Sequence, residues 1–120
     1  MAAKTILRAV EYARLAVDVA SDKQASDIVM LDIREVCDFA DYFVILTAES
    51  PRQIEALTLD IERALETEGA TRHHREGSLQ GGWLLLDFSD VIVHLFRPEQ
   101  REFYDIEGAW SGGVEAVRIQ

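Results

Sequence analysis

A single cysteine, Cys37, leaves no partner for an internal disulfide, and one thiol does not make a zinc site, so a reducing compartment is expected. No apolar run approaches the roughly 20 residues that a membrane-spanning helix requires. The N-terminal segment has no apolar core followed by a small-residue cleavage site, and Glu11 and Asp18 argue against an organelle transit peptide. The cytosol is therefore the expected compartment. Bases are also scarce: 12 against 22 acids give a formal net charge of -10, which opposes capture of nucleic-acid phosphates by the surface as a whole. That balance suits either a basic protein partner or solubility alone.

The patterns that carry enzymatic chemistry are missing as well. No glycine-rich phosphate cradle precedes a helix, and no GxSxG, P-loop, HExxH or CxxC pattern occurs. His73 and His74 are adjacent, so in a strand they point to opposite faces, whereas metal ligands converge. Asp32, Asp41, Asp87 and Asp90 supply oxygens of the kind a hard cation needs, but Asp87 and Asp90 straddle a turn and do not share a face. No catalytic residue, metal or cofactor is expected.

What the chain does have is enough apolar residue for a core. At 120 residues and 48% hydrophobic it reads as one folded domain, with no repeat, low-complexity tract or linker. Its clearest stretch is WLLLDFSDVIVHLF, from Trp83 to Phe96. Two apolar runs flank Ser89-Asp90, the length and chemistry of a two-residue hairpin turn, which sets Trp83 opposite Phe96 and Leu85 opposite His94. Side chains alternate across a strand, so Leu84, Leu86, Phe88, Val91, Val93 and Leu95 share a purely apolar core face. The other face carries Trp83, Leu85, Asp87, Ile92, His94 and Phe96. A lone strand histidine with no ligand companion is read as a contact residue.

In chain order, Ile6, Val10, Ala13, Val17 and Ala20 mark a helix over about residues 3–20, and DIVMLDI (27–33) and YFVILTA (42–48) read as buried strands. Phe39, in the connector between them, is expected to plug the space under the loop. Ser50-Pro51-Arg52-Gln53 is a helix start with a capping box, followed by the stripe Ile54, Leu57, Ile61, Leu65 and a stop at Gly69. Glu55, Glu62 and Glu66 form the solvated opposite face. Residues 70–76 suit a short polar edge strand, GSLQGG a turn, and Pro98 the start of a last helix over 98–110 bearing Phe103, Tyr104 and Trp110. The expected fold is α/β, with a mixed, roughly five-stranded sheet, flanking helices, a single domain over 1–110 and a flexible tail over 111–120.

The face bearing Trp83 and Phe96 needs a cover, because apolar area left in water costs roughly 25 cal/mol per Å². Either the first or the last helix supplies it, or a partner does.

Several of these stretches together point further. ADYFVI (40–45), SPRQ (50–53), GGWLLLDFSDVIVHLFR (81–97) and EFYDIEGAW (102–110) closely resemble the ribosomal silencing factor family, RsfS, also called Iojap, and the resemblance runs from about Ala3 to Trp110. It implies a nucleotidyltransferase-like fold without the catalytic carboxylates, and a non-enzymatic translation repressor. That repressor binds the large ribosomal subunit through its universal protein fourteen, blocks joining of the small subunit when nutrients are limiting, and in some members is a homodimer when free. Carried onto this sequence, the partner-binding positions are Trp83, Leu85, Asp87, His94, Phe96, Arg97 and Tyr104. A divergent, metal-dependent nucleotidyltransferase-like enzyme is the alternative.

Overall fold

In the structure, a computed structural model, residues 7–72 and 74–120 are described. His73 and Ile6, both used above, lie outside them. Helix α1 (Ala9–Asp22) is followed by strands β1 (Ser26–Asp32) and β2 (Tyr42–Thr47), helix α2 (Pro51–Thr67), strands β3 (His74–Ser78), β4 (Trp83–Asp87) and β5 (Val91–Phe96), the short helices α3 (Pro98–Tyr104) and α4 (Ile106–Ala109), and strand β6 (Val114–Ile119). The strands form one mixed sheet in the order β3-β4-β5-β2-β1-β6. The mixed α/β class expected from the sequence is what is found. Among the described residues the only parallel neighbours are β2 and β5, with Tyr42 opposite Val91 and Thr47 opposite Phe96. None of the helices among the described residues is long and apolar enough to cross a membrane.

The β4–β5 hairpin has the expected register, with Trp83 opposite Phe96, Leu85 opposite His94 and Asp87 opposite Ile92. Ser89 takes a left-handed backbone (φ 71°), and the Phe88 N–H donates across the turn to the Val91 carbonyl at 2.9 Å. Its apolar face joins α1 and α2 in the main core, where Leu86, Val93 and Leu95 are fully buried.

Helix α2 begins as its sequence indicates. The Ser50 hydroxyl accepts from the Gln53 N–H at 3.1 Å, and Gln53 returns a bond, its Oε1 accepting from the Glu49 N–H at 2.7 Å. Ile54, Leu57, Ile61 and Leu65 are all buried, and Gly69 (φ 99°) turns the chain out of the helix. Glu62 departs from the solvated face expected of it. It is buried, with Oε2 paired to Arg72 and Oε1 accepting from Arg75 Nη2 at 3.0 Å, so it ties the edge strand to the helix.

Several boundaries differ from expectation, among them β3, expected over 70–76 and found at His74–Ser78. Helix α1 starts at Ala9, where the Glu11 carboxylate accepts from the Arg8 N–H at 2.9 Å; residues 7 and 8 are not helical. The last helix is broken at Asp105, whose left-handed backbone (φ 45°) ends α3 while its side chain accepts from the Gly108 N–H at 3.1 Å to open α4. Finally, the segment expected to be a loose tail forms β6, antiparallel to β1, so the sheet has six strands. Alternation in VEAVRI is masked by a register shift opposite Met30 and Leu31.

Gly77, in β3, sits at φ 89°, and a Cβ there would run into the Trp83 carbonyl oxygen. Gly77→Ala should lower stability by about 1–3 kcal/mol from backbone strain, more with the clash, read as a lower urea midpoint.

Candidate functional site

The face of the sheet away from α1 and α2 has its own core. Val29 and Leu31 from β1, Phe43 and Ile45 from β2, and Ile92 and Phe96 from β5 are buried in it, with Trp83 and Leu85 of β4 packed at its border. Ile106 and Trp110 roof the β1–β2 side. Thus the last helical segment covers part of this face, and α1, on the opposite side, covers none of it.

The rings form a continuous row. Phe39 meets Trp110 at 5.8 Å, Trp110 meets Phe43 at 5.4 Å, Phe43 meets the His94 imidazole at 4.7 Å, and Trp83 lies 5.9 Å beyond His94. Trp83 stacks on Phe96 at 5.1 Å and lies tilted against Tyr104 at 4.5 Å, and Phe103 completes the row at 5.0 Å from Tyr104. Both ends reach solvent: Phe39 is 59% exposed, Tyr104 46% and Phe103 79%. A cleft of about 220 Å³ between Glu76, Gly77, Trp83 and Leu85 adjoins the Trp83 end.

The seven positions singled out from the sequence divide into surface and support. Trp83, Leu85 and Arg97 are partly exposed and Tyr104 is exposed. Asp87 is committed to the hairpin: one carboxylate oxygen accepts from the Ser89 N–H at 2.7 Å and the other lies 3.4 Å from His74 Nδ1. His94 and Phe96 are 4% and 0% exposed, so neither offers a contact surface in this conformation, and the contact reading of His94 is corrected to a packed one. Phe39 is likewise corrected. It is an exposed ring against Trp110, not a buried plug, because Ile33 and Ala40 already fill the space under the loop.

His94 owes its state to its surroundings. The Trp83 Nε1–H donates to its Nδ1 at 3.2 Å, and Nε2 has no hydrogen-bond partner among the described residues. Desolvation pushes its pKa down to about 3, so the ring is neutral at physiological pH.

Arg101, which the sequence reading passed over, holds α3 against the end of the sheet. It is buried, donating to the Asp27 carbonyl, to Thr47 Oγ1 at 2.8 Å and to Glu107 at 3.0 Å. Burial raises the Glu107 carboxyl's pKa, but the guanidiniums of Arg101 and Arg118 outweigh that and hold it below its ordinary value. A basic residue between acids on a short helix looks solvent-facing in sequence; only the sheet end above it shows otherwise. No group of three or more His, Cys, Asp or Glu among the described residues converges to hold a metal ion.

The fold and this face define a small α/β domain with one sheet surface packed by helices and the other left partly open and aromatic. Residues 7–120 match the family model described as "Ribosomal silencing factor during starvation", and the chain belongs to this family. It is 32% identical over 110 residues to the ribosomal silencing factor RsfS of Halalkalibacterium halodurans, covering 92% of this chain and 93% of the relative. It is also 38% identical over 88 residues to the chloroplastic protein Iojap of Zea mays, covering 73% of this chain and 38% of that longer protein. A crystal structure from Chromobacterium violaceum superposes with a TM-score of 0.83 at 32% identity, covering 92% of this chain and 94% of the other. A second, from Bacillus halodurans, gives 0.74 at 31% identity, covering 84% and 94%. The names of the relatives describe a regulatory role.

The buried neutral imidazole has a consequence for stability. The unfolded chain takes up a proton at the ordinary histidine pKa of 6.5 and the native state only near 3, so stability is full above 6.5 and declines as pH falls toward 3. The His94 contribution approaches about 1.4 kcal/mol per pH unit in that window. Urea midpoints measured between pH 7.5 and 4.5 should fall accordingly, and His94→Phe should flatten that part of the slope.

Proposed function

We propose that the chain represses translation by docking the open end of its aromatic face on universal protein fourteen of the large ribosomal subunit, filling space the small subunit needs in order to join. One observation carries this reading: in a chain belonging to the silencing factor family, Trp83 and Tyr104 form a partly exposed aromatic pair stacked on a rigid buried row. Aromatic side chains backed by packed neighbours are where interface energy concentrates. Leu85, Phe103 and the cleft beside Glu76 extend the contact, and Arg97 borders it. His94 and Phe96 act from beneath.

The net charge of -10 suits a basic ribosomal protein and raises the rate of encounter more than the final affinity. A standard interface buries about 800 Å² per partner, within reach of one sheet face and its rim. Occlusion of this kind needs no cofactor and no bond-breaking step; the protein acts in the cytoplasm by occupying a place. In the free protein a second copy covers the same apolar face, so the dimer and the ribosomal complex compete.

Trp83→Ala should weaken binding to isolated large subunits by on the order of 2 kcal/mol, about thirtyfold, with the fold intact. Sucrose-gradient sedimentation with isolated subunits reads both steps: the native protein should migrate with large subunits and prevent joining, and the variant should do neither at the same concentration. Unchanged co-sedimentation of the variant would remove Trp83 from the interface.

A further inference from the structure

Trp83 carries one polar atom, and the structure spends it inward. Its indole N–H donates to His94 Nδ1, on the neighbouring strand and directly opposite Leu85, at 3.2 Å. An indole nitrogen can only donate, so Nδ1 must be the bare acceptor and the imidazole proton must sit on Nε2. That tautomer is locked in place, because the ring is 4% exposed, meets Phe43 edge to face at 4.7 Å and lies parallel to Phe96 at 6.1 Å.

The Trp83 ring, packed at the border of this core, is less enclosed than His94. Phe96 stacks on it at 5.1 Å and Tyr104 lies tilted at 4.5 Å, contacts that hold the plane of the indole but carry no polar preference for one of its edges. The hydrogen bond is the polar contact that distinguishes one edge of the indole from the other. With the N–H consumed against the sheet, a surface docking on Trp83 meets only carbon.

We propose that His94 is a positioning residue for the docking face: it fixes the orientation of Trp83 and withdraws the indole N–H from the partner, so that the group received opposite Trp83 is apolar and supplies no hydrogen-bond acceptor. This rests on the docking reading above. It assigns the buried histidine a role through Trp83 and not through the ribosome, which its burial keeps at a distance.

The test is a double-mutant cycle on large-subunit binding with the native protein, His94→Leu, Trp83→Phe and the combination, paired with nitrogen NMR of the free protein. In the native background His94→Leu should weaken binding about tenfold, and in the Trp83→Phe background, where there is no N–H to hold, it should change binding by less than about twofold. NMR of the native protein should show His94 with Nδ1 unprotonated and Nε2 protonated, and a Trp83 Nε1 proton that exchanges slowly. Equal losses in both backgrounds would make His94 a packing residue only and overturn the proposal, as would a Nδ1-protonated ring. Should His94→Leu lose the native spectrum, His94→Phe, closer in size, replaces it in the cycle. If the native protein binds no large subunit although the NMR pattern is as expected, the docking reading has failed and the positioning role falls with it. Binding with an additive cycle sinks the positioning role alone.

Discussion

Both faces of the β2–β5 pair are buried, and the rest of the molecule is arranged to make that possible. Every residue of β2 and of β5 is inaccessible, and the two strands run parallel at the middle of the sheet. Parallel neighbours require a long crossover, here the path through α2, β3 and β4, which lays a helix on one face as it passes. Helix α1 completes that layer. Among the described residues the other face receives no long helix, and the aromatic row serves as the sheet's second cover.

That second cover is uneven, and electrostatics decide where it lies. Arg101 anchors α3 to the sheet end through Asp27 and Thr47, and with Arg118 it holds Glu107, so α4 is tied both to α3 and to β6. Trp110 is thereby set over Phe43, roofing the β1–β2 side, while Trp83 and Tyr104 on the β4 side, with Phe103 beside Tyr104, stay partly open to solvent. Arg101 is buried, and a pair with a buried charge does little for net stability once desolvation is counted, but it fixes geometry, because leaving that charge unpaired is costly. The open end of the face is thus the part the C-terminal segment does not reach.

The open end of this face is mostly apolar and backed by packed neighbours. His94 stays neutral because burial disfavours its charged form, and as a neutral acceptor it keeps the indole of Trp83 in place. The surface therefore presents a fixed shape, while the net charge of -10 belongs to the chain as a whole. The chain belongs to the silencing factor family, and the role proposed for this surface, blocking a contact, requires shape with little chemistry.

The sequence by itself determined the elements whose signals are local. Turn chemistry at Ser89-Asp90 set the hairpin register, Ser50 and Gln53 set the start of α2, and period-two alternation separated the core face of β4 and β5 from the aromatic one. The fold class and the family followed from the same stretches. Tertiary structure decided what depends on neighbours distant in the chain. Residues 114–119 look unstructured until β1 offers an edge, and Glu62 looks solvated until Arg72 and Arg75 fold back over it. His94 and Phe96 share a face with Trp83, yet they are buried and Trp83 is partly open, because they sit one strand further into the sheet. Alternation along a strand tells which side a residue faces; how deep it lies is set by which strands and helices flank it, and no local pattern encodes that.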